Sequence, residues 1–458
     1  MEFLEERKNS ITTKGKQKNQ LQCESESVAG AVSQRACVYC GARVVLNPIT
    51  DAVHLVHGPI GCASYTWDIR GSLTSGSELF RTSFSTDLKE EDIIFGGEPK
   101  LIKAIDQLAE KYQPPAIFVY STCVVGVIGD DLKAVCKSAS RKYGIPVIPV
   151  ESSGFIGSKV VGYRAACDAL LQLMEPLEGV KIEKNQGINF LGDFNLGGEA
   201  WIIKNYLQEI GVKVNVVFTG DSTVKELKKA PSSCLNIVQC AGSMHYLANK
   251  MEELYGIPTI SVSFFGSESI SESLRKIAEF FGDQEIKNKA EILIEREMKR
   301  VKPTLDYYRQ KLAGKKVAIY VGGAFKAISL ISQFKELGME VVMTGTQTGK
   351  KEDYAVIHGL LDEGAVIVDD TNPAELEKFM LAQGVDLLAG GVKERLLAYK
   401  LGIAFVDHNH DRKEALAGFD GALNFAQEVY TTVCSPVWQH LDRGEDVFHG
   451  KSKLQECS

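Results

Sequence analysis

Cysteine is the residue type whose number and placement in this sequence most clearly indicate chemistry. The chain contains 11 cysteines. Cys62 ends the stretch VHLVHGPIGC, Cys123 follows AIFVYST, and Cys240 closes LNIVQC, so that each comes directly after a probable strand. Loops at strand ends commonly hold ligands, and soft thiolates bind zinc, copper(I) and iron–sulfur clusters. Coincidence and simple packing are the alternatives, but the positions favour metal or redox chemistry.

Cys37, in QRACVYCGA, lies in the same part of the chain as Cys62 and Cys123. Three thiolates are one short of the four that hold a simple iron–sulfur cluster. The missing ligand would come either from another chain, which places the metal at a subunit boundary, or from Cys40. Cys37 and Cys40 also have C-x-x-C spacing, so a zinc or redox pair is an alternative. No second C-x-x-C is present to complete a zinc ribbon.

Cys136 and Cys167 lie in the helix-like runs DLKAVCKSASRKYG and YRAACDALLQLM. Free cysteine is among the most buried residue types and packs as a small apolar side chain. We therefore expect these two thiols to fill space in the core. His57, within VHLVHGP, is expected to brace the turn before Cys62 rather than to bind metal.

Composition and charge narrow the classes of function. The chain has 458 residues, 44% of them hydrophobic and 24% charged, and a formal net charge of -7. That charge argues against a general nucleic-acid binder. The sequence shows neither an apolar run long enough to span a membrane nor a secretory signal at its amino terminus, so we expect a cytoplasmic protein. Thiols in that compartment are reduced, which favours metal ligands over disulfides.

The elements that must position these cysteines alternate between short β-branched runs and longer amphipathic runs. This alternation predicts an α/β fold of three Rossmann-like domains, with parallel sheets flanked by helices. Ligands in such sheets bind beyond the carboxyl ends of the strands. The predicted organisation begins with a polar arm, 1–30. A Rossmann-like domain with the interface-cluster cysteines follows, 31–186, and then one with the cofactor cysteine, 187–300. The third such domain, with carboxyl-terminal helices, is 310–458.

Several motifs together resemble a known family. HGPIGC, FSTDLKEEDIIFGG (84–97) and STCVVGVIGDD (121–131) are similar to the α-type subunits of the nitrogenase component-1 superfamily, and the resemblance runs from about Ala36 to Trp438. It implies an α2β2 heterotetramer with a homologous β-type, NifN-like subunit. It also implies a [4Fe-4S] cluster at the α/β interface, held by Cys37, Cys62 and Cys123 with cysteine of the partner. Cys240 occupies the place of the family's cofactor-ligating cysteine.

Two stretches separate the catalytic from the scaffold members of this superfamily. Catalytic subunits anchor their cofactor with a second ligand, a histidine just before G-[FY]-D-G, and here Ala417 precedes GFDG. They also carry histidines where this chain has SSGFIGSKVVGYR, with Lys159, Tyr163 and Arg164. That stretch resembles the NifE family, the α-type subunits of the cofactor-assembly scaffold. A scaffold must release its product, and one ligand fewer favours release.

The same resemblance suggests further cofactor-binding residues. Lys393 in GGVKERL would lie near homocitrate, and Arg70 and Lys326 are two other basic candidates. His408 and His410 could supply a different imidazole anchor, with a pair of surface histidines as the alternative reading. The glycine pairs at 322–323 and 390–391 match neither a GxGxxG nor a P-loop, so no tightly bound nucleotide is expected on this chain.

The sequence thus predicts a scaffold for maturation of the iron–molybdenum cofactor. The implied cargo is an iron–sulfur precursor (an Fe8-type cluster) that receives molybdenum and homocitrate before transfer. The implied partners are the precursor synthase (NifB), the ATP-dependent iron protein (NifH) and apo-nitrogenase, with no nucleic acid and no membrane. The alternative is a catalytic α subunit of a nitrogenase or nitrogenase-like reductase, and the scaffold reading leaves a weak reductase activity open.

Overall fold

The structure is a computed structural model that describes residues 10–15, 21, 23, 36–67, 72–76, 83–176, 182–239, 241–408 and 414–439. Its contacts divide the chain into two compact units. One is Ala36–Val262, and the other combines Met1–Arg35 with Ser263–Ser458. The four residue ranges predicted for the domains remain a prediction.

The strands in the described part of the chain are β1 Ile11–Thr13, β2 Val53–His57, β3 Ser83–Ser85, β4 Ile117–Ser121, β5 Val147–Val150, β6 Ile188–Asp193, β7 Val214–Thr219, β8 Leu235–Val238, β9 Thr259–Ser261, β10 Lys316–Val321, β11 Glu340–Thr346, β12 Val366–Asp369, β13 Leu387–Gly390 and β14 Ala404–Asp407.

The helices of the same residues are α1 Val38–Leu46, α2 Ile60–Trp67, α3 Glu90–Phe95, α4 Glu98–Tyr112, α5 Cys123–Ile128, α6 Leu132–Tyr143, α7 Lys159–Met174, α8 Glu199–Glu209, α9 Val224–Leu227, α10 Ala241–Tyr255, α11 Ser267–Phe281, α12 Gln284–Leu312, α13 Ala324–Glu336, α14 Lys351–Leu360, α15 Pro373–Gln383, α16 Val392–Lys400 and α17 Gly418–Val433.

The unit Ala36–Val262 contains two parallel four-stranded sheets. The first has the order β3-β2-β4-β5 and the second the order β7-β6-β8-β9. Every residue of β2, β4 and β6 is buried, as expected for parallel strands covered by helices on both faces. One apolar core joins the two sheets, from Phe118 and Tyr120 of β4 to Leu191 of β6 and Phe218 of β7. The predicted α/β fold with parallel sheets flanked by helices is confirmed.

A close crossing of α1 and α7 fixes this core beside Cys37. A Cβ atom at Gly41 would collide with the carbonyl oxygen of Lys159, and one at Gly162 would collide with that of Val38. Only glycine at both positions lets the two backbones approach so closely. The stretch GSKVVG therefore has a packing role that its motif alone did not reveal.

The unit formed by Met1–Arg35 and Ser263–Ser458 contains a six-stranded sheet with the order β1-β12-β11-β10-β13-β14. Five strands are parallel, but β1 runs antiparallel to β12, with Ile11 opposite Val368. The sequence predicted only a polar arm there. Three residues, Ile-Thr-Thr, are too short a run to show periodicity, yet their β-branched residues favour an edge strand.

The structure contains no helix, within its described residues, that is long and apolar enough to cross a membrane. Cys136 and Cys167 are fully buried in apolar clusters, as predicted. Burial raises the pKa of each thiol to about 12, which keeps both protonated and unreactive.

Candidate metal-cluster site

Three cysteines lie at the starts of helices at the carboxyl end of the first sheet. Cys123 is the first residue of α5, directly after β4, and Cys37 is the residue that precedes α1. Cys62 is the third residue of α2, which follows β2 after a Gly-Pro turn. The amino terminus of a helix carries a partial positive charge, which stabilises a thiolate. The three thiols thus lie at helix starts that follow the strands of one sheet or adjoin them.

The fold brings Cys37 and Cys123 together beside Gly154, and Cys62 lies close enough to interact electrostatically with both. A Cβ atom at Gly154 would lie 2.8 Å from Sγ of Cys123 and 3.4 Å from Cβ of Cys37. The pKa of Cys62 is raised by burial and further by the charges of Cys123 and Cys37. Cys37 is held in place by a backbone bridge to Ser158. The predicted set Cys37, Cys62 and Cys123 is therefore one spatial cluster in the structure.

The three thiols are soft donors of the kind that bind metal clusters. No three His, Cys, Asp or Glu side chains of the described residues converge closely enough to hold one metal ion. Burial, and then the charges of Cys123 and Cys37, raise the pKa of Cys62, and a bound metal would stabilise its thiolate. These three residues suit a cluster that takes further thiolate from elsewhere.

Cys40, the other half of the C-x-x-C pair, is placed differently from Cys37. Its side chain is only 3% exposed, within α1, whereas Cys37 is exposed. The two thiols therefore meet different surroundings, one at the cluster and one in the core.

His57 braces the turn between β2 and α2 by using both ring nitrogens. Nδ1 lies 3.0 Å from Oγ1 of Thr86, and Nε2 lies 2.9 Å from Oδ2 of Asp130. The backbone N–H of Gly97 donates to Oδ1 of the same Asp130, at 3.0 Å. Burial lowers the pKa of His57, and its bond to Asp130 only partly offsets this. A neutral imidazole that links three segments leaves neither nitrogen for metal, consistent with the prediction.

Gly58 and Thr122 draw the ends of β2 and β4 together. Oγ1 of Thr122 donates to the carbonyl oxygen of His57 at 3.0 Å. A Cβ atom at Gly58 would collide with the side chain of Thr122, so that this approach requires glycine. The two cysteines that follow these strands, Cys62 and Cys123, are thereby held beside each other.

An exposed apolar surface borders the three thiols, and we call it the apolar rim. It consists of Ile94 and Phe95 of α3, Val127 of α5, and Phe155 and Ile156 next to Gly154. Phe95 is 83% exposed and Phe155 is 74% exposed. The segments that carry these residues contact one another. Neighbouring exposed apolar side chains of this size mark a surface that binds another protein.

Three of the predicted site residues lie outside the described residues: Cys240, Arg70 and His410. The residue before Cys240 is described. Gln239 is buried, and its Nε2 donates to Oδ2 of Asp193 at 3.1 Å. Helix α10 begins immediately after Cys240, at Ala241. The predicted position of Cys240 between a strand and a helix is thus framed by described residues on both sides.

The remaining predicted cofactor residues follow three neighbouring strands of the six-stranded sheet. Lys326 lies in α13 after β10, Lys393 in α16 after β13, and His408 directly after β14. The Nζ of Lys326 is 4.7 Å from the ring centre of Phe265. The carboxyl ends of parallel strands meet at one edge of the sheet, so the structure places these three residues at that edge.

His408 is 0% exposed, so the surface-histidine alternative does not describe it. Its ring lies 5.3 Å from that of Phe425, and its backbone N–H donates to the carbonyl oxygen of Gly390. Ala417, the residue at the place of the second anchor, is also fully buried, just before α17. Its methyl side chain cannot bind a metal.

Glu394 is a buried acid at the same sheet edge that the sequence did not single out. Oε2 accepts from the backbone N–H of Gly391 at 2.8 Å, whereas Oε1 has no hydrogen-bond partner among the described residues. Burial raises the pKa of this carboxyl to about 7. Glu394 thus caps the start of α16. The signal in the sequence was a glutamate three residues after a glycine, a spacing at which the side chain can accept from the backbone N–H before a helix.

Comparisons with known proteins agree with this geometry. Residues 37–434 match the family described as Nitrogenase component 1 type Oxidoreductase. A protein of Clostridium pasteurianum named nitrogenase iron-molybdenum cofactor biosynthesis protein NifE is 61% identical, over 96% of this chain and 97% of its own length. A protein of the same name from Methanosarcina barkeri is 55% identical, over 96% of this chain and 97% of its length.

The fold is also similar to a solved structure. The chain superposes on a structure described as nitrogenase Cp1 at pH 5 with a TM-score of 0.89 and 33% sequence identity. The match covers 96% of this chain and 97% of that one.

Proposed function

The chain belongs to the nitrogenase component 1 type oxidoreductase family, and on that premise we propose that it is a scaffold subunit in iron–molybdenum cofactor biosynthesis. The names of relatives that are 61% and 55% identical support the proposal. The role is to hold an iron–sulfur precursor while molybdenum and homocitrate are added, and then to release it to apo-nitrogenase.

The observation that carries the choice of scaffold over catalyst is Ala417. Catalytic members of the family hold their cofactor with two protein ligands, and the resemblance places the second at this position. Ala417 is fully buried and has no donor atom. A cargo held by the thiolate of Cys240 has fewer bonds to break on release. His408 is buried at the end of β14 and is the imidazole proposed to take part in a weaker contact.

The cluster of Cys37, Cys62 and Cys123 is proposed to hold a [4Fe-4S] cluster together with cysteine of a β-type partner. The apolar rim supports this assignment, since Phe95 and Phe155 are covered only if another protein binds there. Such a cluster supplies one-electron transfer. The partner is a homologous NifN-like subunit, and the assembly is an α2β2 heterotetramer.

Basic residues are proposed to receive the organic acid of the maturing cargo. Lys393 and Lys326 lie at the strand-end edge of the six-stranded sheet, and Arg70 is the third candidate. The ammonium of lysine is a compact charge that suits a polycarboxylate such as homocitrate. The ATP-dependent iron protein and the precursor synthase are the proposed partners that supply electrons and the Fe8-type precursor.

The test is anaerobic co-expression with the β-type partner, followed by iron quantification and EPR spectroscopy. Replacing Cys240 by alanine should remove the iron of the precursor and leave the interface cluster in place. An unchanged iron content in Cys240→Ala would show that the cargo is not held there.

A second assay separates the two classes of function. A scaffold loaded with cofactor should activate cofactor-deficient nitrogenase once per released cluster. Sustained acetylene reduction by the complex itself, over many turnovers, would instead support the catalytic alternative.

A further inference from the structure

Arg43 is a buried cation in the helix that begins directly after Cys37. It lies in α1, and only 2% of its surface is exposed. Its Nη2 donates to Oγ of Ser83 at 2.5 Å, and its guanidinium carbon lies 4.9 Å from the ring centre of Tyr120. Nε and Nη1 are buried and have no hydrogen-bond partner among the described residues. The positive charge therefore contacts a hydroxyl and an aromatic ring, which are both neutral groups.

No carboxylate balances this charge within the part of the chain that the structure describes. Arg43 takes part in none of the ion pairs between described residues. A guanidinium stays charged in proteins, so that burying it without an acidic partner destabilises the fold. Such an unbalanced charge calls for an explanation other than stability.

The groups that face Arg43 from the first sheet are neutral. Burial lowers the pKa of His54 well below its ordinary value, and the charge of Arg43 lowers it further. Nδ1 of His54 lies 2.8 Å from the hydroxyl oxygen of Tyr120. Burial raises the pKa of Tyr120, and the charge of Arg43 offsets only part of this effect. The electric field of Arg43 therefore acts on these neighbours, and their charges do not cancel it.

The same charge lies near two of the three clustered cysteines. Arg43 follows Cys37 by six residues, and a helical rise of about 1.5 Å per residue separates their Cα atoms by about 9 Å along α1. Cys123 follows Tyr120 by three residues, which reach at most about 11 Å. The residues of α1 between Cys37 and Arg43 are all buried. Protein rather than water therefore fills this part of the helix, so that the field is only weakly screened.

We infer that Arg43 tunes the reduction potential of the iron–sulfur cluster that Cys37, Cys62 and Cys123 are proposed to hold. This inference rests on the proposed function. Reduction adds one electron from an external donor, such as dithionite, and no bond of the chain forms or breaks. An unbalanced positive charge stabilises the form that carries one more negative charge. Arg43 thus makes reduction easier through its field, without contacting the cluster.

The test is a redox titration of the heterotetramer, followed by the EPR signal that Cys123→Ala removes. Arg43→Met removes the charge but keeps a long, adaptable side chain. At a fixed solution potential it should lower the ratio of reduced to oxidised cluster about tenfold. A unit charge about 10 Å away has roughly this effect at an effective dielectric constant of about 20. The midpoint potential should therefore move to a more negative value.

Ser83 allows a test that leaves Arg43 in place. Ser83→Asp sets a carboxylate beside Nη2, where the guanidinium keeps it ionised and the pair cancels the positive charge. The midpoint potential should then move in the same direction as in Arg43→Met. Ser83→Asn adds a side chain of nearly the same size and shape without a charge, and should keep the midpoint potential of the wild type. The difference between these two variants reports charge, because their effects on packing are shared.

Lys133→Met is the control for the burial of the charge. Lys133 pairs with Glu151, three residues before Gly154, but both side chains are exposed, at 67% and 64%. Water and salt screen exposed charges, so this variant should leave the midpoint potential unchanged.

An unchanged midpoint potential in Arg43→Met, equal midpoint potentials in Ser83→Asp and Ser83→Asn, or an equal shift in Lys133→Met would each overturn the inference. If Arg43→Met does not assemble, the two variants of Ser83 decide the question. The failure of the proposed function has a different signature. In that case Cys123→Ala leaves the iron content and the EPR signal unchanged, so that no interface cluster exists to be titrated.

Discussion

The carboxyl ends of the first sheet and of the six-stranded sheet are built in opposite ways. The first presents three cysteines at helix starts, braced by a neutral histidine and by glycines that admit no side chain. The second presents two lysines, a buried histidine and, at the anchor position, a buried alanine. The first arrangement suits a metal cluster that stays bound. Under the proposed function the second contacts a guest that leaves, and the number of protein ligands then distinguishes the resident cofactor from the cargo.

The largest effect is expected from removing one of the three cysteines that are proposed to hold the interface cluster. Cys123→Ala should remove the interface cluster entirely, because the remaining thiols are too few to hold it. Iron per heterotetramer and the EPR signal of the reduced cluster measure the loss. Cys136→Ala is the matched control, since Cys136 is buried in the core of the same sheet, and it should keep the cluster. Full cluster content in Cys123→Ala would contradict the assignment.

A smaller effect is expected from crowding the same site. In Gly154→Ala the added Cβ would lie 2.8 Å from Sγ of Cys123, so that the thiol must shift. Overpacking of this kind costs about 1–3 kcal/mol, and cluster content should fall with it. Gly61→Ala is the control, because a Cβ there meets nothing within 4 Å although it adjoins Cys62. Thermal unfolding and iron content are measured for both variants. Equal losses of stability and iron in Gly154→Ala and Gly61→Ala would contradict the expected crowding of Cys123.

A third change makes the cargo site resemble a resident site. Ala417→His adds an imidazole where catalytic members have one, and should slow transfer of the cargo to apo-nitrogenase roughly tenfold. The transfer rate is followed by the activity that the recipient gains. Ala417→Leu adds bulk at the same buried position without a donor atom and should not slow transfer. If both variants behave alike, bulk rather than ligation accounts for the change.

The smallest effect concerns pH. The pKa of Glu394 is raised by burial to about 7 from its ordinary value of 4.5, so that between these values the folded chain holds a proton that the unfolded chain has lost. Stability from this group is therefore full below pH 4.5 and declines as pH rises toward 7. Glu394→Gln should flatten that decline between pH 5 and 8, because glutamine carries no titrating proton. Thermal unfolding midpoints across this range test it, and parallel curves for both proteins would refute it.

Part of the candidate site was predictable because its signals are local. Cys62 and Cys123 were expected after strands and are found there, since strand runs and the helices that follow them are short-range patterns. Cys136 and Cys167 were expected in the core for the same reason. The family resemblance supplied the sets of ligands, which no spacing rule determines.

Other features depended on residues far apart in the chain. Hydrogen bonds from His57 to Asp130, and from Gly97 to Asp130, join three separate segments of the chain. The close approach of Gly154 to Cys123 and Cys37 also joins three segments. His408 is buried because Phe425 of α17 packs against it, whereas its sequence, VDHNH, reads as a polar loop. Local propensity carries no information on such contacts.

The sequence by itself determined the α/β alternation, the placement of the thiols at strand ends and the chemistry open to them, because periodicity and residue type act over a few positions. Only the tertiary structure decided that Cys37 and Cys123 meet beside Gly154, and that Asp221 accepts two hydrogen bonds from Ser75. The order β3-β2-β4-β5 sets which strand ends are neighbours, and that order arises from packing between distant segments rather than from any local pattern.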